Sequence, residues 1–129
     1  MITDKIVDKL VQLERAHNRF SEVLKDLDNP LVIDASIQRF EFTYELVWKV
    51  LKLHLENNGL FPSYPKEVLS LSFEHGLIDD NDLWKNIILF RNQTVHTYNE
   101  KMAKDIFIKL PEYSVEFNKL IVKLIDIYK

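Results

Sequence analysis

The sequence predicts an all-α fold, an up-and-down antiparallel bundle of about five helices. Three observations predict it. Apolar residues recur at steps of three and four along most of the chain, which lines up one face of a helix. Turn-forming residues, among them Asn29-Pro30, Asn58-Gly59, Pro62, Pro65 and Gly76, fall between those periodic segments. No stretch alternates apolar and polar residues with period two for long enough to make a strand.

Thr3 is the expected N-cap of the first helix, with Asp4 at the positive end of its dipole. Ile6, Leu10, Leu13, His17, Phe20, Leu24 and Leu27 then form a heptad-like seam broken by one histidine. His17 is a ligand or catalytic group on one reading, and on the other a core-edge imidazole reaching an acceptor. Asp28-Asn29-Pro30 ends the helix, because the residue before a proline is pushed out of the α region. Asp34, or a residue or two before it, caps the second helix. Its stripe is Ile37, Phe40, Tyr44, Val47, Leu51 and Leu55, widened by Phe42 and Trp48, and Asn57-Asn58-Gly59 stops it. The opposite face carries Glu41, Glu45, Lys49 and Lys52, with Glu45 and Lys49 in the favourable i,i+4 order. Glu41 and Glu45 share a face, but no His or Asp follows at ligand spacing, so a solvated or partner-facing stripe is expected. Pro65 is a first helical residue for a short third helix ending at Glu74-His75-Gly76, where His75 caps the end.

Leu77-Ile78-Asp79-Asp80 opens the fourth helix, with Asp79 or Asp80 as cap and Leu83, Trp84, Ile87, Ile88 and Phe90 as its apolar face. Thr97 or Asn99 starts the last segment. There Met102, Ile106, Leu110, Tyr113, Phe117, Leu120, Leu124 and Ile127 keep phase across Pro111. A proline inside a helix costs about 3 kcal/mol, so a kink, or two helices nearly in line, is expected there. Tyr44, Trp48 and Trp84 are candidates for a face left to a second subunit.

The chain of 129 residues is 47% hydrophobic and 29% charged, as befits a single domain spanning 1–129. Without cysteine it has no disulfide and no thiolate metal site, and a reducing compartment is suitable. No apolar run approaches the roughly 20 residues that span a bilayer. Met1-Ile2-Thr3-Asp4-Lys5 lacks the apolar core of a signal peptide, so no membrane association and a cytoplasmic location are expected. The net charge of −3, with both signs interspersed, argues against a broad nucleic-acid footprint and against DNA as a partner. A local footprint is still open, because Lys85, Arg91, Lys101 and Lys104 flank one polar stretch. On the plainer reading these lysines are simply solvated faces.

That stretch carries the chemistry. An apolar run, Ile87-Ile88-Leu89-Phe90, leads into Arg91-Asn92-Gln93-Thr94-Val95-His96-Thr97-Tyr98-Asn99-Glu100. Histidine exchanges a proton near neutral pH, and arginine is a permanent cation with a planar donor fork. Together they suit phosphodiester cleavage, His96 moving a proton and Arg91 stabilising charge on phosphorus, with no metal or other cofactor required. On a single helix the two positions stand roughly 140° apart. They converge only if the helix ends near Val95 or if each meets its counterpart from a second subunit. The plainer alternative pairs Arg91 with a carboxylate and makes His96 a helix-end cap.

Arg91-Asn92-Gln93-Thr94-Val95-His96-Thr97-Tyr98 closely resembles the Arg-Asn-x3-His-x-Tyr signature of HEPN-domain proteins, in particular their nucleotidyltransferase substrate-binding branch. Phe40-Glu41-Phe42-Thr43-Tyr44-Glu45-Leu46-Val47-Trp48-Lys49, Pro65-Lys66-Glu67-Val68, and Gly76-Leu77-Ile78-Asp79 followed by Trp84 are similar to that branch in the expected order. The resemblance implies a five-helix bundle that forms a homodimer, with Arg/His pairs of two protomers lining a shared cleft. It also implies a type II toxin–antitoxin pair. The HEPN member is then a metal-independent ribonuclease acting on RNA, and its antitoxin is a minimal nucleotidyltransferase that, in some pairs, transfers AMP to a tyrosine. By the same resemblance Arg91 is the phosphate-stabilising cation, His96 the general acid/base, Asn92 an orienting group and Tyr98 the modifiable hydroxyl. The older family name implies a different role, a non-catalytic subunit that docks with a nucleotidyltransferase and presents a substrate.

Overall fold

The structure is a computed structural model that describes residues 1–26, 29–79, 81–96 and 100–129, apart from the side chains of residues 30, 81, 94–96, 100, 102 and 103. Five helices follow in order: α1 (Ile2–Val23), α2 (Pro30–Asn57), α3 (Pro65–Glu74), α4 (Asn81–His96) and α5 (Glu100–Tyr128). Among the described residues there is no strand, as the periodicity predicts.

Several boundaries differ from expectation, each for a local reason. α1 begins one residue before Thr3, on Met1 and without a side-chain cap. Orphan N–H groups at an exposed terminus are satisfied by water, and Asp4 still sits in the first turn. α1 stops at Val23, earlier than expected, with Leu24 as C-cap. Asn29-Pro30 proves to be the start of α2 and not the end of α1, which has already stopped at Val23. Asn29 is extended, its side chain accepts the Leu31 N–H at 3.0 Å, and Pro30 takes the first helical position, where a missing N–H costs nothing. An N-cap needs the extended backbone that a following proline enforces. Asp34 is therefore an interior residue of α2 and not its cap. Leu27 and Asp28 lie outside the described residues.

α3 begins at Pro65 and is capped at its C-terminus by His75, as expected. Gly59 and Gly76 close α2 and α3 with φ of 82° and 77°, a left-handed backbone that only glycine adopts without strain. Leu77 and Ile78 are buried but precede α4 instead of opening it. Asp79 does not cap α4: its carboxylate takes Lys123 Nζ of α5 at 2.9 Å. Asp80, Thr97 and Asn99, the other expected caps, are outside the described residues. α5 is a single helix with Pro111 inside it.

The packing follows the seams. Ile6, Leu10, Leu13 and Phe20 of α1 are buried, as is the whole expected α2 stripe from Ile37 to Leu55. Phe40 lies at the centre, with ring centroids 6.1 Å from Phe20, 5.9 Å from Tyr113 and 6.0 Å from Phe117. Trp84 of α4 closes this cluster on Phe117 at 5.7 Å. These contacts also set direction. Phe40 meets Tyr113 and Phe117 while His54, further along α2, meets Tyr128, so α2 and α5 run parallel. Trp84 meets Phe117 and Phe90 meets Tyr113, so α4 runs antiparallel to α5.

The apolar faces depart from expectation at their edges. Phe42 is 64% exposed and Ile127 53%, so Phe42 does not widen the α2 stripe and Ile127 does not continue the α5 seam into the core. Tyr44 and Trp84 are buried within one chain and are not available to a second subunit; Trp48 is half-buried. No helix among the described residues is long and apolar enough to cross a membrane.

Candidate functional site

Two helices build the site. Ile87 is fully buried and Phe90 packs its ring against Tyr113 at 5.5 Å, which fixes the apolar side of α4 onto the core. The next residue, Arg91, is thereby brought to the edge of the bundle, opposite the middle of α2. There its Nη2 donates to Glu45 Oε1 at 3.3 Å, with the arginine side chain 25% and the glutamate 37% exposed. That separation is longer than the roughly 2.7–2.9 Å of a tight charge-assisted bond. Glu45 Oε2 accepts the indole N–H of Trp48 at 3.0 Å, which orients the carboxylate from the next turn of α2. Beneath them, burial pushes the Tyr44 hydroxyl up to about 12; the Glu45 charge adds to the rise and Arg91 opposes it.

The pairing of Arg91 with a carboxylate is the plainer of the two readings that the sequence leaves open, and the structure supplies it. Glu45, expected on a solvated or partner-facing stripe, meets α4 of its own chain. The signal is a charged residue set among the aromatic positions of the Phe40–Lys49 segment. Sequence spacing cannot say which helix arrives opposite it. Glu41, the other carboxylate of that face, is partly buried. Among the described residues no group of three or more His, Asp or Glu is placed to hold a metal ion.

Asn92 is exposed beside Arg91. α4 continues to His96, so positions 91 and 96 belong to one unbroken helix, roughly 140° apart around its axis. The side chain of His96 and the whole of Tyr98 lie outside the described residues. Lys85, Lys101 and Lys104 are exposed.

The other histidines are structural. His17 is buried, its Nε2–H donating to the Ser114 carbonyl at 2.9 Å with Ser114 Oγ at 3.1 Å, which is the core-edge role expected of it. Burial lowers its pKa, against the backbone hydrogen bond that raises it. His54 hydrogen-bonds the Tyr128 hydroxyl through Nδ1. Its pKa is lowered by burial and further by the charge of His75.

A model of the family described as "Nucleotidyltransferase substrate binding protein like" matches residues 8–126. The chain is 31% identical over 98 residues to a protein of Haemophilus influenzae named "Probable ribonuclease HepT", a match covering 72% of this chain and 67% of that one. A crystal structure of a Thermus thermophilus protein superposes with a TM-score of 0.81 at 39% identity, covering 87% of this chain and 98% of the other. A tri-AMPylated Shewanella oneidensis HEPN toxin, solved in complex with MNT antitoxin, superposes with a TM-score of 0.75. It is 20% identical, over 94% of this chain and 96% of that one, and so speaks for the fold alone. With the family matched across most of its length and the five-helix bundle in place, this chain belongs to the HEPN/nucleotidyltransferase substrate-binding family.

Proposed function

We propose that the protein is the toxin of a HEPN/MNT toxin–antitoxin pair, a metal-independent endoribonuclease whose reacting groups are Arg91 and His96 with Asn92 beside them. The observation that carries this reading is Arg91 itself: a permanent cation, partly open to solvent, set at the edge of the bundle with its Nη2 3.3 Å from Glu45 Oε1. A phosphate arriving there offers a planar guanidinium two acceptors. The likeness to a relative named as a probable ribonuclease supports the same chemistry.

In that chemistry His96 takes the proton from a ribose 2′-hydroxyl or gives one to the departing 5′-oxygen. The 2′-oxygen–phosphorus bond forms as the phosphorus–5′-oxygen bond breaks, and Arg91 offsets the charge that builds on the phosphoryl oxygens. Position 96 ends α4, where the helix dipole favours the protonated imidazole. Because positions 91 and 96 do not share a face of one helix, the working pair is formed between two protomers of a homodimer. The partner is a minimal nucleotidyltransferase. Its control is transfer of AMP from ATP to the Tyr98 hydroxyl, with pyrophosphate leaving, which sets charge and bulk beside the cleft.

The test is cleavage of RNA by purified protein in chelator, beside folded Arg91→Ala and His96→Ala variants. Cleavage by the unsubstituted chain alone supports the ribonuclease. The family description supports a second reading, a non-catalytic subunit that presents a substrate to a nucleotidyltransferase. That reading is favoured if tRNA, mRNA and rRNA all stay intact with protein shown by mass to carry no AMP.

A further inference from the structure

The chain contains four arginines, and three of them line one groove while the fourth is Arg91. The groove lies between α1 and α2, has a volume of about 470 Å³, and is bordered by Arg15, Arg19, Arg39, Gln12, Gln38 and Phe42. Ala16, Ala35 and Leu46 complete its lining. Arg39 Nη1 donates to the Arg19 carbonyl at 2.8 Å, which ties the two walls together and fixes one guanidinium in place. Among the described residues no carboxylate forms an ion pair with Arg15, Arg19 or Arg39. Phe42, which the apolar pattern places in the core, instead stands 64% exposed against this groove.

We propose that this groove binds a single strand of RNA alongside the cleavage site, an inference that rests on the reading of the protein as a ribonuclease. The occupant follows from the lining. Clustered guanidinium groups match phosphate oxygens, an exposed aromatic ring is a stacking platform for a base, and glutamine amides reach base edges. The volume is in the range of about 300–1,000 Å³ that accommodates a small ligand, which suits a short piece of a strand. A second copy of this chain is a poor occupant, because a two-fold contact would set each cluster of cations against its duplicate. Leu46 borders the groove and Glu45, its neighbour, holds Arg91, so the two sites occupy adjacent faces of α2 about 100° apart. A strand crossing α2 reaches both. The groove thereby supplies affinity that a lone Arg91 does not.

The experiment measures binding of a fluorescent single-stranded oligoribonucleotide by anisotropy across a salt series. It uses full-length His96→Ala protein as parent, so that the probe survives. Arg15→Ala and Arg19→Ala are each expected to reduce the slope of log affinity against log salt by about 0.7, one phosphate contact per arginine. Arg15→Lys, which keeps the charge, restores the slope. Phe42→Ala is expected to weaken binding roughly tenfold with little change of slope. Circular dichroism confirms that each variant is folded; Arg39 is left intact because it ties α1 to α2. Parental affinity and slope in the alanine variants overturn the proposal, as does a parent that binds no RNA. ATP is the second probe, and a site that holds ATP but not the oligonucleotide is a free-nucleotide site, which also overturns it. Cleavage is scored separately on the chain with His96. Cleavage with unaltered KM in Arg15→Ala and Arg19→Ala sinks the groove alone, while arginine-dependent binding without cleavage sinks the ribonuclease alone.

Discussion

Glu45 makes the site out of two helices, and its removal separates position from chemistry. Arg91→Ala deletes the cation and is expected to lower RNA cleavage by about 100- to 1,000-fold, the usual effect of removing one charge-stabilising donor. Glu45→Gln leaves the cation but loosens it, and its expected loss of cleavage is below about tenfold. Because both side chains are partly exposed, either change should alter stability by less than about 1 kcal/mol in urea unfolding. Equal losses of activity in the two variants would mean that Glu45 does more than hold the arginine. Tyr44 beneath them sets a pH limit. Its hydroxyl titrates near 10 when unfolded and about 12 when folded, so above pH 10 the unfolded chain loses its proton first. The Tyr44 contribution to stability is then complete below pH 10 and falls between 10 and 12. Tyr44→Phe should flatten that alkaline fall in urea titrations, leaving the parts due to Tyr113 and Tyr128, whose hydroxyls burial also pushes up. His17 acts at the other end. Its folded pKa lies below the ordinary 6.5, so the unfolded chain takes up a proton first and stability is lost as pH drops below 6.5.

The helices themselves were largely legible, and the reasons for the misreadings are specific. Period and proline placement located all five, because burying one face of each helix is what holds the bundle together. The seam from Ile37 to Leu55 is buried as expected, and so are Ile106, Leu110, Tyr113, Phe117, Leu120 and Leu124. Caps were harder, since Asn29-Pro30 reads as a stop for α1 but is the start of α2, and α1 has already ended at Val23. Asn29→Ala removes the acceptor for Leu31 N–H and is expected to cost about 1 kcal/mol. A thermal midpoint unchanged from the parent would show that the cap carries no weight. Phe42 shows the other limit: its position in the helical pattern is apolar, but α1 leaves a groove there instead of a wall. Arg91 was visible as a candidate because of its neighbours in sequence. Its partner was not, because a contact between residues 45 and 91 depends on how α4 lies across α2.

At the scale of the whole molecule the question is whether one chain holds a complete site. Arg91 and His96 are on the same helix but at different angles around it, so a reaction that uses both from one protomer would need a substrate bent around α4. A two-fold pairing of α4 ends removes that need, with Arg91 of one protomer facing His96 of the other. The exposed apolar residues Leu89 of α4 and Ile108 of α5 are then available at such a contact, now that Tyr44 and Trp84 are accounted for inside the core. This arrangement makes a prediction that a self-contained site does not. On the proposed chemistry Arg91→Ala and His96→Ala proteins are each expected to lose cleavage, but unfolded together and refolded as an equal mixture they should regain about a quarter of the sites. Random pairing makes half of the dimers mixed, and a mixed dimer of two-fold symmetry carries one intact Arg91/His96 pair and one doubly damaged pair. Activity in the mixture, measured against the same total concentration of unsubstituted protein, therefore reads out the architecture directly. No recovery, with mixed dimers verified by mass, would place both groups in one protomer and transfer the burden of bringing them together to the RNA.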